Sequence, residues 1–276
     1  MTLQRIAAFS DGNIGGNPAG VMIGESMPGV QEMQRIAAEV GYSETAFAAP
    51  EGDEWRVRYF SPESEVPFCG HATIALGAAL GMKEGEGIFC LKLNEADITV
   101  EGRSGVNGFS ASLQSPPTKS AKVDPQYLQA ALNLFGYGQS DVNLDIPPAI
   151  INGGAKHLLI VLKDRGRLAD MDYDLDAGRK LMAEAGLVTI SLVVAESAQK
   201  FHARNAFASG GVLEDPATGA AAAALAGYLR DIGWPHGGEI SIVQGEDMGA
   251  RSLIRAEIGP QKGSSIRVSG TTREIT

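Results

Sequence analysis

Only two cysteines, Cys69 and Cys90, occur in 276 residues. A small secreted domain held by disulfides uses more, so both are read as reduced thiols and no disulfide framework is expected. Four scattered histidines offer no Cys/His cluster with zinc spacing, and no metal site is expected. Basic residues are in deficit as well: 23 Lys and Arg stand against 33 Asp and Glu, a formal net charge of −10. With no Lys/Arg cluster to offset that balance, nucleic acid and anionic membranes are poor partners, and a small molecule is the better one. No apolar run reaches the ~18 residues a membrane helix needs, and Met1-Thr2-Leu3-Gln4-Arg5 leads into Gly-rich sequence instead of a signal-peptide core. The expected location is the cytoplasm.

Small residues, by contrast, are abundant, and they concentrate in two places. Val66-Pro67-Phe68-Cys69-Gly70 is a Pro- and Gly-marked loop leading into His71 and a segment, to Leu80, that is almost wholly small or apolar. No face of such a segment suits water, so a buried helix is expected. Glu214-Asp215-Pro216-Ala217-Thr218-Gly219 likewise leads into a bland stretch, 220–229. A buried helix directs its free N–H groups and about half a positive charge at whatever precedes its first turn, which suits a substrate carboxylate.

The sequence around these two devices repeats. Strands are expected over 5–10 and 19–23, joined by a turn-rich loop whose glycines do not fit G-x-G-x-x-G. Over 28–40, Val30, Met33, Ile36, Ala37 and Val40 fall on one helical face, with Gly41 as a left-handed cap. Strands over 42–48 and 55–60 flank a turn at 50–53. After the first buried helix come strands over 88–93, 98–103 and 107–113, with Cys90 expected as a small buried hydrophobe. The stretch 115–120 reads as a linker, and Asp124-Pro125 as the cap and first residue of a helix. In the second half a helix over 174–185 ends at Gly186, strands cover 187–195 and 200–207, and, beyond the second buried helix, strands cover 240–244, 252–258 and 264–269. Gly41 lies 29 residues before Gly70, and Gly186 lies 29 before Asp215. A tandem duplication is expected, with one domain over 1–117, 266–276 returning to it, and the other over 118–265.

In that register Glu44 corresponds to Thr189, and Cys69-Gly70-His71 to Glu214-Asp215-Pro216, so the halves are chemically unequal. Glu44 shares a strand face with Tyr42, Ala46 and Ala48, where a carboxylate is either a candidate acid/base group or a solvated charge near a strand end. His71, near a helix start, has its protonated form disfavoured by the dipole and acts as a neutral donor or acceptor, unless it is simply packed. Cys69 is two residues away, a separation at which side chains are not expected to pair, so a Cys/His nucleophile is not favoured. Asp215 before Pro216 suits a helix cap as well as a carboxylate facing a cleft.

Taken together, Gly16-Asn17-Pro18-Ala19-Gly20-Val21, Ser43-Glu44-Thr45, Phe60-Ser61-Pro62, Glu65 through Thr73, Glu214-Asp215-Pro216-Ala217-Thr218-Gly219 and Gln244-Gly245 resemble the PhzF-like phenazine-biosynthesis isomerase family over nearly the whole chain. The resemblance implies a diaminopimelate epimerase-like α/β (α+β) fold: two pseudo-symmetric domains, each a curled, mostly antiparallel sheet around a central buried helix, with the active site in the cleft between them. It implies Glu44 as the group that moves a proton, His71 and Asp215 as assistants, and N–H groups near Gly70, His71, Thr218 and Gly219 as holders of a substrate carboxylate. Ser43, Cys69 and Ala72 complete the implied substrate site. The implied activity is a cofactor-independent isomerisation of a small carboxylated, cyclic or unsaturated metabolite by a homodimer.

A partly desolvated Glu44 is then expected to titrate above the usual carboxylate range. The rivals are an amino-acid epimerase or racemase of the same fold and a binding protein without turnover. A two-thiol racemase is disfavoured, since Cys69 matches the first thiol position while Asp215 or Pro216 holds the second. Two departures concern substrate shape: Met248-Gly249-Ala250-Arg251 stands where the family usually has Met-Gly-Arg, and Arg204 through Ser209 lacks the Pro often found there. Phenazine synthesis is therefore not carried over with the fold.

Overall fold

The computed structural model describes residues 2–105 and 108–275, so the start of the strand expected at Asn107 lies outside the described residues. The chain forms two compact units, Met1–Gln114 with Ser269–Thr276, and Ser115–Val268.

In the first unit Thr2–Ala8 (β1) runs antiparallel to Asn17–Ile23 (β2), which crosses over through Val30–Val40 (α1) to the parallel Thr45–Glu51 (β3). Gly41 ends α1 with φ 70°, as expected; Met33 and Ala37 are the buried residues of the apolar face, while Val30 is exposed. Glu54–Phe60 (β4) pairs with β3 and with the two-residue Glu65–Val66 (β5). Gly70–Glu84 (α2) then leads to Gly87–Lys92 (β6), parallel to β4, and a meander through Asp97–Gly105 (β7) and Gly108–Gln114 (β8) follows. The last strand of the chain, Arg267–Glu274 (β17), lies between β1 and β8 and closes the sheet into a ring. It begins later than the strand expected over 264–269 and runs further, because its pairing with β1 (Ile6 opposite Glu274, Ala8 opposite Thr272) extends it.

Inside that ring sits α2, buried at every position from His71 to Gly81. It packs on β1, β2, β3, β6, β7 and β8, which is why its sequence shows no polar face. Close approach depends on glycine: a Cβ on Gly77 would lie 2.4 Å from Val100 Cγ2, and one on Gly102 2.3 Å from the Gly77 carbonyl oxygen. Ile74, Leu76 and Leu80 are fully buried, each worth about 1.5–3 kcal/mol of transfer free energy. Cys90 is exposed, against expectation, because positions 88, 90 and 92 of β6 form its outward face. Neither cysteine is in a disulfide.

The second unit opens on Lys119–Lys122 (β9), a strand that takes the end of the stretch read as a linker. After Pro125–Leu134 (α3), whose cap Asp124 accepts from the N–H groups of Gln126 and Tyr127, come Ala149–Asn152 (β10) and Lys156–Leu162 (β11). Every residue of β11 after Lys156 is buried, and it lies parallel to Thr189–Ala195 (β12). A strand covered on both faces has no alternation, which left it unassigned from the sequence. Arg165–Ala169 (α4) and Leu175–Ala185 (α5), the latter closed by Gly186 at φ 62°, form the crossover. Lys200–Ala206 (β13) pairs with β12, with the short Glu214–Asp215 (β14) and, across Gly219–Ile232 (α6), with the parallel Glu239–Gln244 (β15); Ser252–Glu257 (β16) follows. Like α2, α6 is buried along most of its length and approaches its neighbours through glycine: a Cβ on Gly227 would lie 2.3 Å from Thr118 Oγ1. From β10 to β16 the order of strands and helices repeats that of the first unit from β1 to β7, with α4 as an additional helix in the crossover and α3 preceding the repeat, so the duplicated α/β architecture is present.

Candidate active site

Glu44 is not part of a strand. It stands between the bend at Tyr42 and Ser43 and the start of β3, so the expected shared face with Tyr42 does not form. Its carbonyl accepts the Gly20 N–H at 3.1 Å, and Gly20 permits the contact because a Cβ there would lie 2.6 Å from Thr45 Oγ1. The backbone is thereby fixed where β2 and β3 begin to pair, and the Glu44 side chain meets the first turn of α2.

That turn is itself anchored. Thr73 donates its hydroxyl to the Cys69 carbonyl at 2.7 Å, and the Tyr59 hydroxyl lies 2.7 Å from Thr73 Oγ1. Tyr59 is fully buried, and burial holds its phenol protonated far above the ordinary range. Cys69, the extended residue before the helix, makes no side-chain cap bond.

His71, only 7% exposed, is the hub of the cluster. Its Nε2 lies 3.3 Å from Glu44 Oε2 and 3.4 Å from Ser43 Oγ. Cys69 Sγ lies 3.4 Å from His71 Nδ1 and 3.9 Å from Nε2. The expectation that side chains two residues apart would not pair is corrected here: Cys69 is extended and His71 already helical, and the change of backbone direction between them brings both to one side. Although Glu44 Oε2 is within ion-pair distance of His71, the two are not aligned, and this buried oxygen receives no hydrogen bond. Leaving an acceptor in that state costs about 1–3 kcal/mol. Glu44, Cys69 and His71 also bring three potential metal-ligating atoms within 4.8 Å of one another, a donor set that spacing in the sequence did not reveal.

In the second unit the corresponding turn is held by hydrogen bonds. Asp215 does not cap α6, as its Asp-Pro pair had suggested; the helix starts at Gly219, and Asp215 Oδ2 accepts the Thr218 hydroxyl. The Gln244 amide spans the turn, donating from Nε2 to the Asp215 carbonyl at 2.7 Å and accepting the Thr218 N–H at 3.2 Å. Gly245, at φ 72°, follows it, and a Cβ there would lie 2.7 Å from the Pro216 carbonyl oxygen. Glu214 is buried against Arg204, with Nη2 to Oε2 at 2.6 Å, and Arg204 Nη1 also donates to the Ala169 carbonyl at 2.7 Å. Sequence reasoning missed Arg204 as an anchor, because Lys200, His202 and Asn205 make it one of several polar residues in β13.

Neither α2 nor α6 has a side-chain cap at its N-terminus, so the first-turn N–H groups around Gly70, His71 and Ala72, and around Gly219, remain donors for an anion. Arg251 pairs with Glu246, and Arg165 with Glu246 at 3.1 Å and Asp247 at 2.9 Å. Thr189, at the position equivalent to Glu44, hydrogen-bonds His157: Nδ1 and the Thr189 hydroxyl are 2.7 Å apart.

The model of the phenazine biosynthesis-like protein family, PhzC-PhzF, matches residues 6–274. A trans-2,3-dihydro-3-hydroxyanthranilate isomerase of Pseudomonas aeruginosa is 29% identical over 273 residues, covering 96% of this chain and 94% of its own. An uncharacterised isomerase of Mesorhizobium japonicum is 32% identical over 283 residues, covering 95% and 92%. The crystal structure of a PhzF-family phenazine biosynthesis protein of Bacillus anthracis matches with a TM-score of 0.88 at 20% identity, covering 99% of this chain and 96% of that one, and shows a common fold.

Proposed function

We propose that this chain, which belongs to the PhzC-PhzF phenazine biosynthesis-like family and is an isomerase, moves a proton within a small carboxylated, unsaturated metabolite, with Glu44 taking the proton and returning it. The observation that carries this is the buried Glu44 Oε2, 3.3 Å from His71 Nε2 yet without an aligned donor. An acceptor so placed is completed by a proton, and a C–H bond beside a double bond can supply one.

In the proposed step the Glu44 carboxylate removes that proton and the C–H electrons enter the π system. The proton held on Glu44 exchanges with solvent, and Glu44 then delivers a proton to another carbon of the delocalised anion, so the substrate gains and loses no net atoms. His71 holds Glu44 and the developing charge, and first-turn N–H groups around Gly70 and Ala72 bind the substrate carboxylate. Ser43 and Cys69 line the substrate. Positioned acid/base groups of this kind supply about 10²–10⁴-fold in rate. A racemase using two thiols is disfavoured, because Cys90 is exposed on the outward face of β6 and leaves Cys69 as the one thiol of the cluster. Homodimer assembly in the cytoplasm is part of the proposal and rests on the family resemblance; analytical ultracentrifugation tests the dimer.

Proton NMR in deuterated water tests the reaction, using trans-2,3-dihydro-3-hydroxyanthranilate, the compound in the name of the Pseudomonas relative. Isomerisation with deuterium uptake that Glu44→Gln abolishes is the expected result. Isomerisation that survives in Glu44→Gln overturns the role of Glu44. If the wild-type chain leaves this compound unchanged, the proposal fails for it, and the same assay moves to other unsaturated carboxylates.

A further inference from the structure

We propose that Glu44, Cys69 and His71 form a three-ligand site for a thiophilic divalent cation, Zn²⁺, and that its occupation stops proton transfer by Glu44. Four-coordinate zinc binds sulfur at about 2.3 Å and nitrogen or oxygen at about 2.0–2.2 Å, so its ligand atoms stand roughly 3.3–3.6 Å apart in a tetrahedron. His71 Nε2 lies 3.3 Å from Glu44 Oε2 and 3.9 Å from Cys69 Sγ, and the three ligand atoms fall within 4.8 Å. Small side-chain rotations complete the set, while the backbone carrying it is already fixed by the Thr73, Tyr59 and Gly20 contacts.

Two features point to a cation and not only to a packed cluster. The buried Glu44 Oε2 receives no hydrogen bond, and a metal ion satisfies it where His71, for want of alignment, does not. The donor set is also mixed: one sulfur, one imidazole nitrogen and one carboxylate oxygen match a soft, four-coordinate ion and not Mg²⁺ or Ca²⁺, which take oxygen. On binding, the Cys69 thiol gives its proton to solvent, and thiolate plus carboxylate offset the two charges of the ion. Three protein ligands leave the fourth position to water. The binding claim stands on this geometry alone; the inhibitory claim rests on the proposed role of Glu44.

The test uses the reduced full-length protein and ZnCl₂ alone in isothermal titration calorimetry, with CoCl₂ as a spectroscopic probe. One ion per chain is expected, with a sulfur-to-cobalt charge-transfer band. Cys69→Ser and His71→Gln, each checked for folding by circular dichroism, are expected to weaken binding by at least ~10²-fold, the upper end of what losing a supporting contact to a ligand costs. Absence of binding, or binding that survives both substitutions, overturns the site; the second outcome places the ion elsewhere, for example at His202 with Glu196 and Glu246. Binding without loss of deuterium exchange by the wild-type chain removes the inhibitory claim and leaves the metal site standing.

Discussion

The two buried helices resemble each other in composition and setting, yet their first turns are built in opposite ways. At α2 the surrounding groups are near one another but poorly bonded: Glu44, Ser43 and Cys69 lie 3.3–3.9 Å from the His71 ring nitrogens, and one carboxylate oxygen has no donor. At α6 the groups are locked, with Gln244, Thr218 and Asp215 hydrogen-bonded together and Glu214 tied to Arg204. A contrast recurs at the paired position, where Glu44 has an oxygen without a donor while Thr189 is hydrogen-bonded to Nδ1 of the fully buried His157. A duplicated scaffold thus carries one turn with an unfilled acceptor beside it and one whose groups are bonded to each other.

Breaking the first turn should cost activity, and breaking the second should cost stability. The largest effect is expected from Glu44→Gln, which preserves shape but cannot take a proton: exchange into deuterated water should fall by about 10²–10⁴-fold with the melting temperature little changed. Next is Arg204→Ala, which leaves Glu214 as an unpaired buried charge and should cost about 3–5 kcal/mol in urea unfolding. Gln244→Leu removes both the donor and the acceptor that close the Asp215 turn. About 1–3 kcal/mol of stability is expected to go in the same urea unfolding.

The effect confined to acid conditions concerns a single buried histidine. Burial lowers His157 from 6.5 to about 3, so the unfolded chain takes up a proton that the folded chain refuses. Stability from this group is complete above about 6.5 and is lost as pH falls toward 3, with a limiting slope of about 1.4 kcal/mol per pH unit. His157→Gln should flatten the stability profile in that window while deuterium exchange at pH 7.5 stays unchanged. An unaltered slope would show that other groups carry the acid sensitivity.

Much of the frame was legible from local signals. Gly41 and Gly186 end their helices in the left-handed conformation that glycine adopts most readily, and Asp124 caps the helix begun by Pro125. Other elements gave no such signal. Lys156–Leu162 is apolar without a period, and Lys119–Lys122 is an exposed strand that pairing with β10 alone defines. At Cys90 the sequence misled, because alternation assigns two faces without saying which one the helix covers.

The candidate site divides along the same line. Composition by itself determined that two helices of small and apolar residues must be buried, since neither has a face that water would accept, and that the halves carry different titratable groups. Only the tertiary structure decided that Glu44 ends beside His71, that Cys69 turns to the same imidazole, and that Gln244 closes the Asp215 turn. Those contacts join residues far apart along the chain, or reverse direction within two residues. Periodicity reports only what recurs every two or 3.6 residues; the meeting of a bend, a helix start and a strand end is settled by how the sheet curls around its helix.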